Sequence, residues 1–244
     1  MSCSVNLRKI SAKISDKTLF ENVNLEVGHK EKIVIIGPNG SGKTTLLEII
    51  AGLRMPNSGE IEMFHENMSN LDEFGRFRSE IGFLCQNSDE QFICPSVYED
   101  VAFGLFARNE AFKKFGEFDE HLVASHGFEQ RRILSESEIY AKTDEILRNL
   151  GIFHIKDKIV FHLSGGEKKL VALAGVLVCE PKIILLDEPT NGLDFDMQKK
   201  LSDILGSLAV SQIIVSHDKE FIQNFADKIY YLHKDGLKNN TIIS

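Results

Sequence analysis

The chain has 244 residues, enough to bury the core of one large domain or of one domain with a subdomain. Its formal net charge of −8 disfavours a nucleic-acid partner, because binding a phosphate backbone usually needs a basic surface. The N-terminus has no basic flank followed by an apolar stretch, so we expect no signal peptide. The longest apolar run, 170–179, is far shorter than the about 20 residues that a membrane-spanning helix needs. We therefore expect any membrane role to be peripheral.

The first third of the chain predicts several strands and one helix. A weak alternation of apolar and polar residues over 5–14 and 20–27 is typical of edge or antiparallel strands. The continuous apolar run 33–36 is typical of a strand buried on both faces. Turns are expected at Asp16 and Lys17 and at 56–59, and Gly52 stops the helix. The predicted elements, in chain order, are strands 5–14, 20–27 and 33–36, helix 43–51, and strands 60–64 and 81–85.

The middle of the chain reads as helical and the last third returns to buried strands. Ser135 and Glu138 form a capping box that opens a helix over 135–150, and Gly151 ends it. An amphipathic stretch covers 168–178, and a further helix is predicted over 196–208. Two short apolar runs are the predicted strands of the last third, 183–186 and 213–215.

The sequence GPNGSGKT at 37–44 lies between a predicted buried strand and a predicted helix. In that context the backbone N–H groups and the helix dipole point at an anion, so the motif predicts binding of a nucleoside triphosphate. Lys43 is placed to pair with the β- and γ-phosphates, and the Thr44 hydroxyl to ligate Mg²⁺. The expected nucleotide-binding residues are Asn39, Gly40, Ser41, Gly42, Lys43, Thr44 and Thr45.

Two carboxylates, Asp187 and Glu188, directly follow the predicted strand 183–186. They lie at the edge where an open α/β sheet binds ligands. Asp187 can hold Mg²⁺, and Glu188 can activate the water that attacks the γ-phosphate. His217 follows the strand 213–215, so it can reach the same edge, hold the γ-phosphate and orient Glu188.

A second anion-binding pattern, Ser164-Gly165-Gly166-Glu167, opens the amphipathic helix. We expect one triphosphate to bind at the loop 37–44, so the second anion-binding pattern needs another explanation.

Taken in order, these motifs resemble the ATPase domain of ATP-binding cassette proteins over nearly the whole chain. The matching motifs are Walker A at 37–44, the Q-loop Gln86, the signature at 163–167, Walker B at 183–187 with Glu188, the D-loop at 191–194 and the switch His217. The resemblance implies an α/β P-loop NTPase with a mostly parallel central sheet, an N-terminal antiparallel β subdomain and an inserted helical subdomain. It implies a single ATPase domain over 1–244, with a core of 1–86 and 159–244 and a helical subdomain at about 87–158.

The resemblance also implies ATP and Mg²⁺ as ligands. It assigns the metal to Thr44, Gln86 and Asp187, and catalysis to Glu188, His217 and Gln86. It explains the second anion site by a head-to-tail dimer with a second ATPase subunit, either identical or a paralogue. The signature of one subunit, Ser164, Gly165, Gly166 and Glu167, then clamps the γ-phosphate held by Walker A of the other.

The segment 86–104 and the signature helix 163–175 are similar to the energy-coupling-factor ATPases, which drive uptake of cobalt, nickel and vitamins. This similarity implies a subunit at the cytoplasmic face of the membrane, docked on a transmembrane coupling subunit with a substrate-binding membrane protein. We expect docking through 86–91 and 97–104, which carry the acidic residues Asp89, Glu90, Glu99 and Asp100. Two alternatives stay open: an ATPase of another transporter class and a soluble ATPase of the superfamily. The chain has one cassette, a net negative charge and no heptad repeats, and these features favour transport.

Three features depart from the family pattern. Residues 11–18 contain no aromatic side chain to stack on adenine, so we expect Ile14 to supply an apolar wall. An insertion at about 107–133 lengthens the helical subdomain; its phenylalanines are expected to pack on neighbouring helices and its His121 and His126 to be loop residues. Little sequence follows His217, so we expect dimer contacts to rest mainly on the nucleotides.

Overall fold

The computed structural model describes residues 3–116 and 132–239. Its strands are β1 (Cys3–Ile14), β2 (Lys17–Gly28), β3 (Lys32–Ile36), β4 (Ser58–Met63), β5 (Glu66–Asn67), β6 (Ile81–Leu84), β7 (Ile183–Asp187), β8 (Ser211–Val215), β9 (Lys228–His233) and β10 (Gly236–Asn239). Its α-helices are α1 (Lys43–Ile50), α2 (Val97–Phe115), α3 (Glu136–Asn149), α4 (Gly165–Leu177), α5 (Phe195–Ser207) and α6 (Lys219–Phe225). Short 3₁₀ helices cover Glu73–Glu80, Ser88–Glu90, Phe153–Ile155 and Val160–His162.

The strands form two sheets, which confirms the expected α/β fold with an antiparallel β layer and a mostly parallel central sheet. The first sheet is antiparallel with the order β2-β1-β4-β5, and the second has the order β10-β9-β3-β8-β7-β6. In the second sheet β9, β3, β8, β7 and β6 run parallel, and β10 joins the edge antiparallel. Because β3, β8 and β7 are neighbours, the chain segments that follow their carboxyl ends meet at one edge of the sheet.

The central strands are buried on both faces, as their continuous apolar sequences predict. Alternate residues of β7 face two different cores: Ile183 and Leu185 pack toward the antiparallel sheet and α1, whereas Ile184 and Leu186 pack toward α4, α5 and α6. Strands β3 and β8 follow the same alternation, as period-two side chains require. The edge that carries the site therefore sits on a rigid, doubly covered sheet.

The helices α2, α3 and part of α4 surround a third core. The predicted capping box is present, with Ser135 accepting from the Glu138 backbone and Glu138 accepting from the Ser135 backbone. Leu170, Val171 and Ala174 of α4 belong to this core, so it extends past the subdomain boundary expected near 158. Helix α4 thus packs on both the helical region and the central sheet.

The insertion expected at about 107–133 begins as a continuation of α2, which runs to Phe115. The Phe115 ring lies against Gly75, where a Cβ atom would be 2.4 Å from it, in agreement with the expected packing role. Phe118, His121, His126 and Phe128 lie outside the described residues.

Several predicted boundaries were wrong by one or two residues. The β1–β2 turn consists of Ser15 and Asp16, because Lys17 pairs with Ile14 in the ladder. Strand β4 starts at Ser58, which pairs with Ser11 within the region expected to be a turn. The strands β5, β9 and β10 were not predicted; β5 has two residues, and the run 229–232 of β9 contains two tyrosines. Across the described ranges, no helix combines the length and apolarity needed to cross a bilayer.

Candidate nucleotide-binding site

The loop between β3 and α1 is shaped by its glycines. Gly42, at the N-terminus of α1, has a φ of 96°, and a Cβ atom there would lie 2.9 Å from the Phe20 ring. Only glycine adopts that conformation without strain, so the local backbone requires glycine at position 42. Gly40 also has a positive φ, of 75°, and a Cβ atom there would meet nothing within 4 Å. The loop therefore opens toward solvent at its tip.

Lys43 is 8% exposed, and its ammonium folds back on its own loop. Its Nζ donates to the carbonyls of Gly37 and Pro38, at 2.9 and 3.1 Å. Burial lowers the pKa of Lys43, while Glu188 and Asp187 act in the opposite direction. A buried cation beside N–H groups at a helix N-terminus suits the phosphates of a nucleotide.

Thr44 and Asp187 connect the loop with the end of β7. The Thr44 Oγ1 donates to Asp187 Oδ2 at 2.6 Å, and Asp187 is 2% exposed. A hydroxyl and a carboxylate are the hard oxygen donors that Mg²⁺ prefers, so these residues fit the ion. No group of three or more His, Cys, Asp or Glu side chains in 3–116 and 132–239 could bind a metal by itself. Phosphate oxygens and water would have to complete the coordination.

Glu188 is held in an unusual backbone conformation directly after β7. Its φ is 46°, and its backbone N–H donates to the Val215 carbonyl at 2.9 Å. A left-handed conformation at a residue other than glycine costs about 1–3 kcal/mol and persists only where the surroundings enforce it. Here the pairing with the end of β8 enforces it, and it directs the carboxylate toward His217.

Glu188 and His217 form a polar pair at the sheet edge. The His217 Nε2 lies 3.3 Å from Glu188 Oε1, and the His217 backbone N–H donates to Glu188 Oε2 at 3.3 Å. Burial raises the pKa of Glu188, and the contacts with His217 offset part of that effect. The carboxylate is thus oriented by both the ring and the backbone N–H of His217, and its role as a base stays a prediction.

One cavity of about 400 Å³ unites most of the predicted site. Its polar lining residues are Asn39, Gly40, Gly42, Lys43, Thr44, Thr45, Gln86, Asp187, Glu188 and His217. Ser41 is the predicted nucleotide-binding residue that does not line it; its Oγ is buried and has no hydrogen-bond partner among the described residues. The structure therefore brings Gln86 of the Q-loop to the phosphate-binding loop, although Gln86 is 41 positions after Thr45 in the chain.

Ile14 and Leu19 form an aliphatic end of this cavity. Ile14 is 48% exposed, so its side chain is accessible to a ligand, whereas Leu19 is buried in the core. No aromatic side chain of the described residues lines the cavity. The sequence indicated Ile14 but gave no signal for Leu19, because its role depends on the fold of the β1–β2 hairpin.

The signature residues lie at the start of α4 and do not line this cavity. Ser164 caps the helix by accepting from Glu167 N at 3.3 Å, and Glu167 Oε2 accepts from Ser164 N at 2.8 Å. Gly165 faces open space, whereas a Cβ atom at Gly166 would lie 3.0 Å from the Met197 side chain. In the single chain these residues therefore form a capped helix terminus outside the cavity that contains the phosphate-binding loop.

The four acidic residues expected at the docking surface are all engaged within the chain. Asp89 pairs with Lys168, Glu90 accepts from Asn87, Glu99 accepts from Ser96, and Asp100 accepts from the backbone of Ile93 and Cys94. Burial raises the pKa of Asp100. These contacts give each carboxylate a local structural role, so the acidic character of the segment does not by itself indicate a partner.

Lys169 is a buried residue that the sequence analysis did not single out as functional. It is 4% exposed, and its Nζ donates to the carbonyls of Cys85 and Gln86, at 3.2 and 2.9 Å. The sequence signal that could have identified Lys169 was its position in a helix whose other buried residues are apolar.

A glycine-rich loop after β3, two acids at the end of β7 and a histidine after β8 define a P-loop nucleoside triphosphatase. The model of the family described as ABC transporter matches residues 20–191. The chain belongs to the ABC transporter family and is an ATPase of that family.

Three known proteins illustrate the relationship. The chain is 34% identical over 238 residues to the energy-coupling factor transporter ATP-binding protein EcfA of Methanothermobacter thermautotrophicus, covering 96% of this chain and 69% of EcfA. The structure of cbiO1 from Clostridium perfringens, part of the ABC transporter complex cbiONQ, superposes with a TM-score of 0.77 at 29% identity and covers 98% of this chain and 88% of cbiO1. A dimeric ATP-binding cassette in a post-hydrolysis state with ADP and Pi has a TM-score of 0.80 at 26% identity, covering 98% and 99%.

Proposed function

We propose that this chain hydrolyses ATP to power an importer of the energy-coupling-factor type, which takes up a transition metal ion such as cobalt or nickel, or a vitamin. The observation that carries the ATPase part is the Glu188–His217 pair facing the same cavity as Lys43 and Thr44. The importer part rests on the segment 86–104 and on the likeness to EcfA and cbiO1.

In this proposal Lys43 binds the β- and γ-phosphates, and the loop N–H groups hold the triphosphate in one orientation. Glu188 accepts a proton from the attacking water at its carboxylate, which its backbone conformation and His217 keep aimed into the cavity. His217 donates to the γ-phosphate. Thr44, Asp187 and Gln86 would hold Mg²⁺, which neutralises charge on the phosphates when bound.

A second subunit completes the site. The signature Ser164 lies outside the cavity of its own chain, at a helix N-terminus that can bind an anion. A head-to-tail partner, either a second copy or a paralogue, would bring its own Ser164, Gly165 and Gly166 against the γ-phosphate. The Ser164 Oγ accepts from Glu167 N, so its O–H can donate to a phosphate oxygen while that capping bond is kept.

The membrane subunit needs a docking site, and the cavity between α2 and the β6 edge offers one. This cavity has a volume of about 460 Å³, and Gly82, Gly104 and Arg108 line it. Arg108 is 9% exposed and its Nη1 has no hydrogen-bond partner among the described residues. Three basic side chains and one acidic side chain line the cavity: Arg78, Arg108, Lys114 and Asp72. We propose that a helix of the membrane subunit, bearing a carboxylate for Arg108, occupies it.

The proposal is tested by purifying the chain and measuring phosphate release from ATP with Mg²⁺. The wild type should turn over, and Lys43→Ala should not. Deletion of the gene should then abolish uptake of one labelled solute among cobalt, nickel and the vitamins. Normal uptake of all of them would overturn the importer type, and ATP turnover without any membrane partner in pull-downs would favour a soluble ATPase instead.

A further inference from the structure

Two residues at the start of α4, Ser164 and Lys169, contact different parts of the protein. The N-terminus of α4 is the signature Ser164, and five residues later Lys169 is buried against the Q-loop. The two are separated by little more than one helical turn, so they move as one rigid unit.

Lys169 holds the main chain of the Q-loop directly. Its Nζ donates to the carbonyls of Cys85 and Gln86, and these bonds use two of the three ammonium donors. Both carbonyls follow the end of β6, where the backbone leaves the sheet and has no further ladder partners. The lysine therefore replaces the sheet as the support of Gln86.

Two more contacts join the same helix face to the same segment. Lys168 pairs with Asp89 at 2.7 Å, and the Gln91 side chain links Cys85 N, at 3.2 Å, with the Ala172 carbonyl, at 3.4 Å. The Q-loop is thus tied to α4 at positions 168, 169 and 172, and of the two lysines in this set Lys169 is the buried one.

Lys169 is 4% exposed, and burial of a lysine is unfavourable because the charged ammonium loses its hydration. A methionine would fill a similar volume at no desolvation cost. The charge and the N–H donors of the Lys169 ammonium, and not packing alone, therefore explain why a lysine occupies this position.

We propose that Lys169 is a positioning residue that sets the place of Gln86 in the nucleotide cavity and couples it to the signature at the start of α4. The inference rests on the proposed function, in which Ser164 contacts the ATP of the partner subunit. Displacement of α4 when that ATP binds then shifts Gln86 in the chain's own site. Lys169 is the mechanical link that makes two ATP sites cooperative.

The test compares Lys169→Met with the matched control Lys142→Met, which removes a surface lysine paired with Glu180. Four quantities are measured: turnover, the Hill coefficient for ATP, the Mg²⁺ concentration for half-maximal activity and the affinity for a fluorescent ATP analogue without Mg²⁺. We expect Lys169→Met to raise the Mg²⁺ requirement and lower kcat by about 10-fold each, the range for losing a residue that orients a metal ligand. Its Hill coefficient should fall toward 1, while the affinity for a fluorescent ATP analogue without Mg²⁺ changes by less than about 2-fold.

A double-mutant cycle separates positioning from general destabilisation. If Lys169 acts through Gln86, adding Lys169→Met to Gln86→Ala should cause no further loss of turnover. An additive loss, or an unchanged Mg²⁺ requirement and Hill coefficient in Lys169→Met, would overturn the inference while leaving the ATPase assignment intact. If Lys169→Met does not fold, Lys169→Gln, which keeps a neutral donor, is put through the same cycle. Absence of Mg²⁺-dependent ATPase activity in the wild type would instead overturn the proposed function, and this inference with it.

Discussion

The Thr44 hydroxyl donates a hydrogen bond of 2.6 Å to the carboxylate of Asp187, and this contact joins the first turn of α1 to the end of β7. The two residues are 143 positions apart in the chain. Their contact follows from the sheet order, since β8 alone separates β3 from β7. The same adjacency places Glu188 and His217 beside the phosphate-binding loop.

Glu188→Gln should keep ATP binding and lower turnover by about 10²-fold or more, because it removes the general base and preserves the shape of the side chain. ATP-loaded dimers should accumulate, and size-exclusion chromatography with bound-nucleotide analysis would detect them. Glu145→Gln, an exposed glutamate on α3, is the control and should behave as the wild type. Wild-type turnover in Glu188→Gln would remove this residue from catalysis.

The pH dependence of kcat/KM should reflect the environment of Glu188. Burial raises its pKa above the ordinary value of 4.5, and only the carboxylate can accept a proton, so activity should fall as pH drops through that raised pKa. His217→Ala removes the ring that lowers this pKa but keeps the backbone donor. The acid limb of the residual activity should therefore move to higher pH in the variant. A limb that moves to lower pH would contradict the electrostatic role of His217.

Mixed dimers test whether the signature acts on the partner's nucleotide. Lys43→Ala disables one phosphate-binding loop, and Ser164→Arg disables one signature, so each pure mutant should be inactive. A mixture should recover ATPase activity, because each mixed dimer contains one composite site with an intact Lys43 and an intact Ser164. Activity no higher than that of the separate mutants would rule out a site shared between subunits.

Ile14→Tyr should strengthen nucleotide binding by stacking on the base. Base–aromatic stacking is worth about 1–3 kcal/mol, so the Kd for ATP should fall by about 5-fold or more. The affinity for inorganic triphosphate, which has no base, should stay unchanged, and Ile14→Val should resemble the wild type. An equal gain for inorganic triphosphate would show that Ile14 does not face the base.

Arg108→Met should abolish co-purification with the membrane subunit. The isolated chain should keep its ATPase activity, and its free energy of unfolding should not decrease, because the change removes a buried cation that lacks a hydrogen-bond partner at Nη1. Lys113→Met, on the same helix but paired with Glu110 at the surface, is the matched control. Retained co-purification in Arg108→Met would exclude this cavity as the docking site.

The sequence alone determined the local parts of this protein. The loop at 37–44, the capping box at Ser135 and the buried strand β7 depend on short-range rules of backbone conformation and side-chain periodicity. These rules operate within one turn of helix or one strand, so neighbouring residues suffice to read them. The order of the motifs also sufficed to indicate the family, which the comparison with known proteins confirmed.

Only the tertiary structure decided how these parts meet. The strand order brought Gln86 to the phosphate-binding loop, and pairing with the end of β8 forced Glu188 into a left-handed conformation. The burial of Lys169 depends on the crossing of α4 over the end of β6, and the engagement of Asp89 depends on the position of Lys168 on that helix. Burial and pairing are properties of surfaces brought together from distant parts of the chain. For that reason the sequence could not indicate that the carboxylates of 86–91 and 97–104, the segments expected to dock on the membrane subunit, are also engaged within the chain. Docking through these segments stays a prediction.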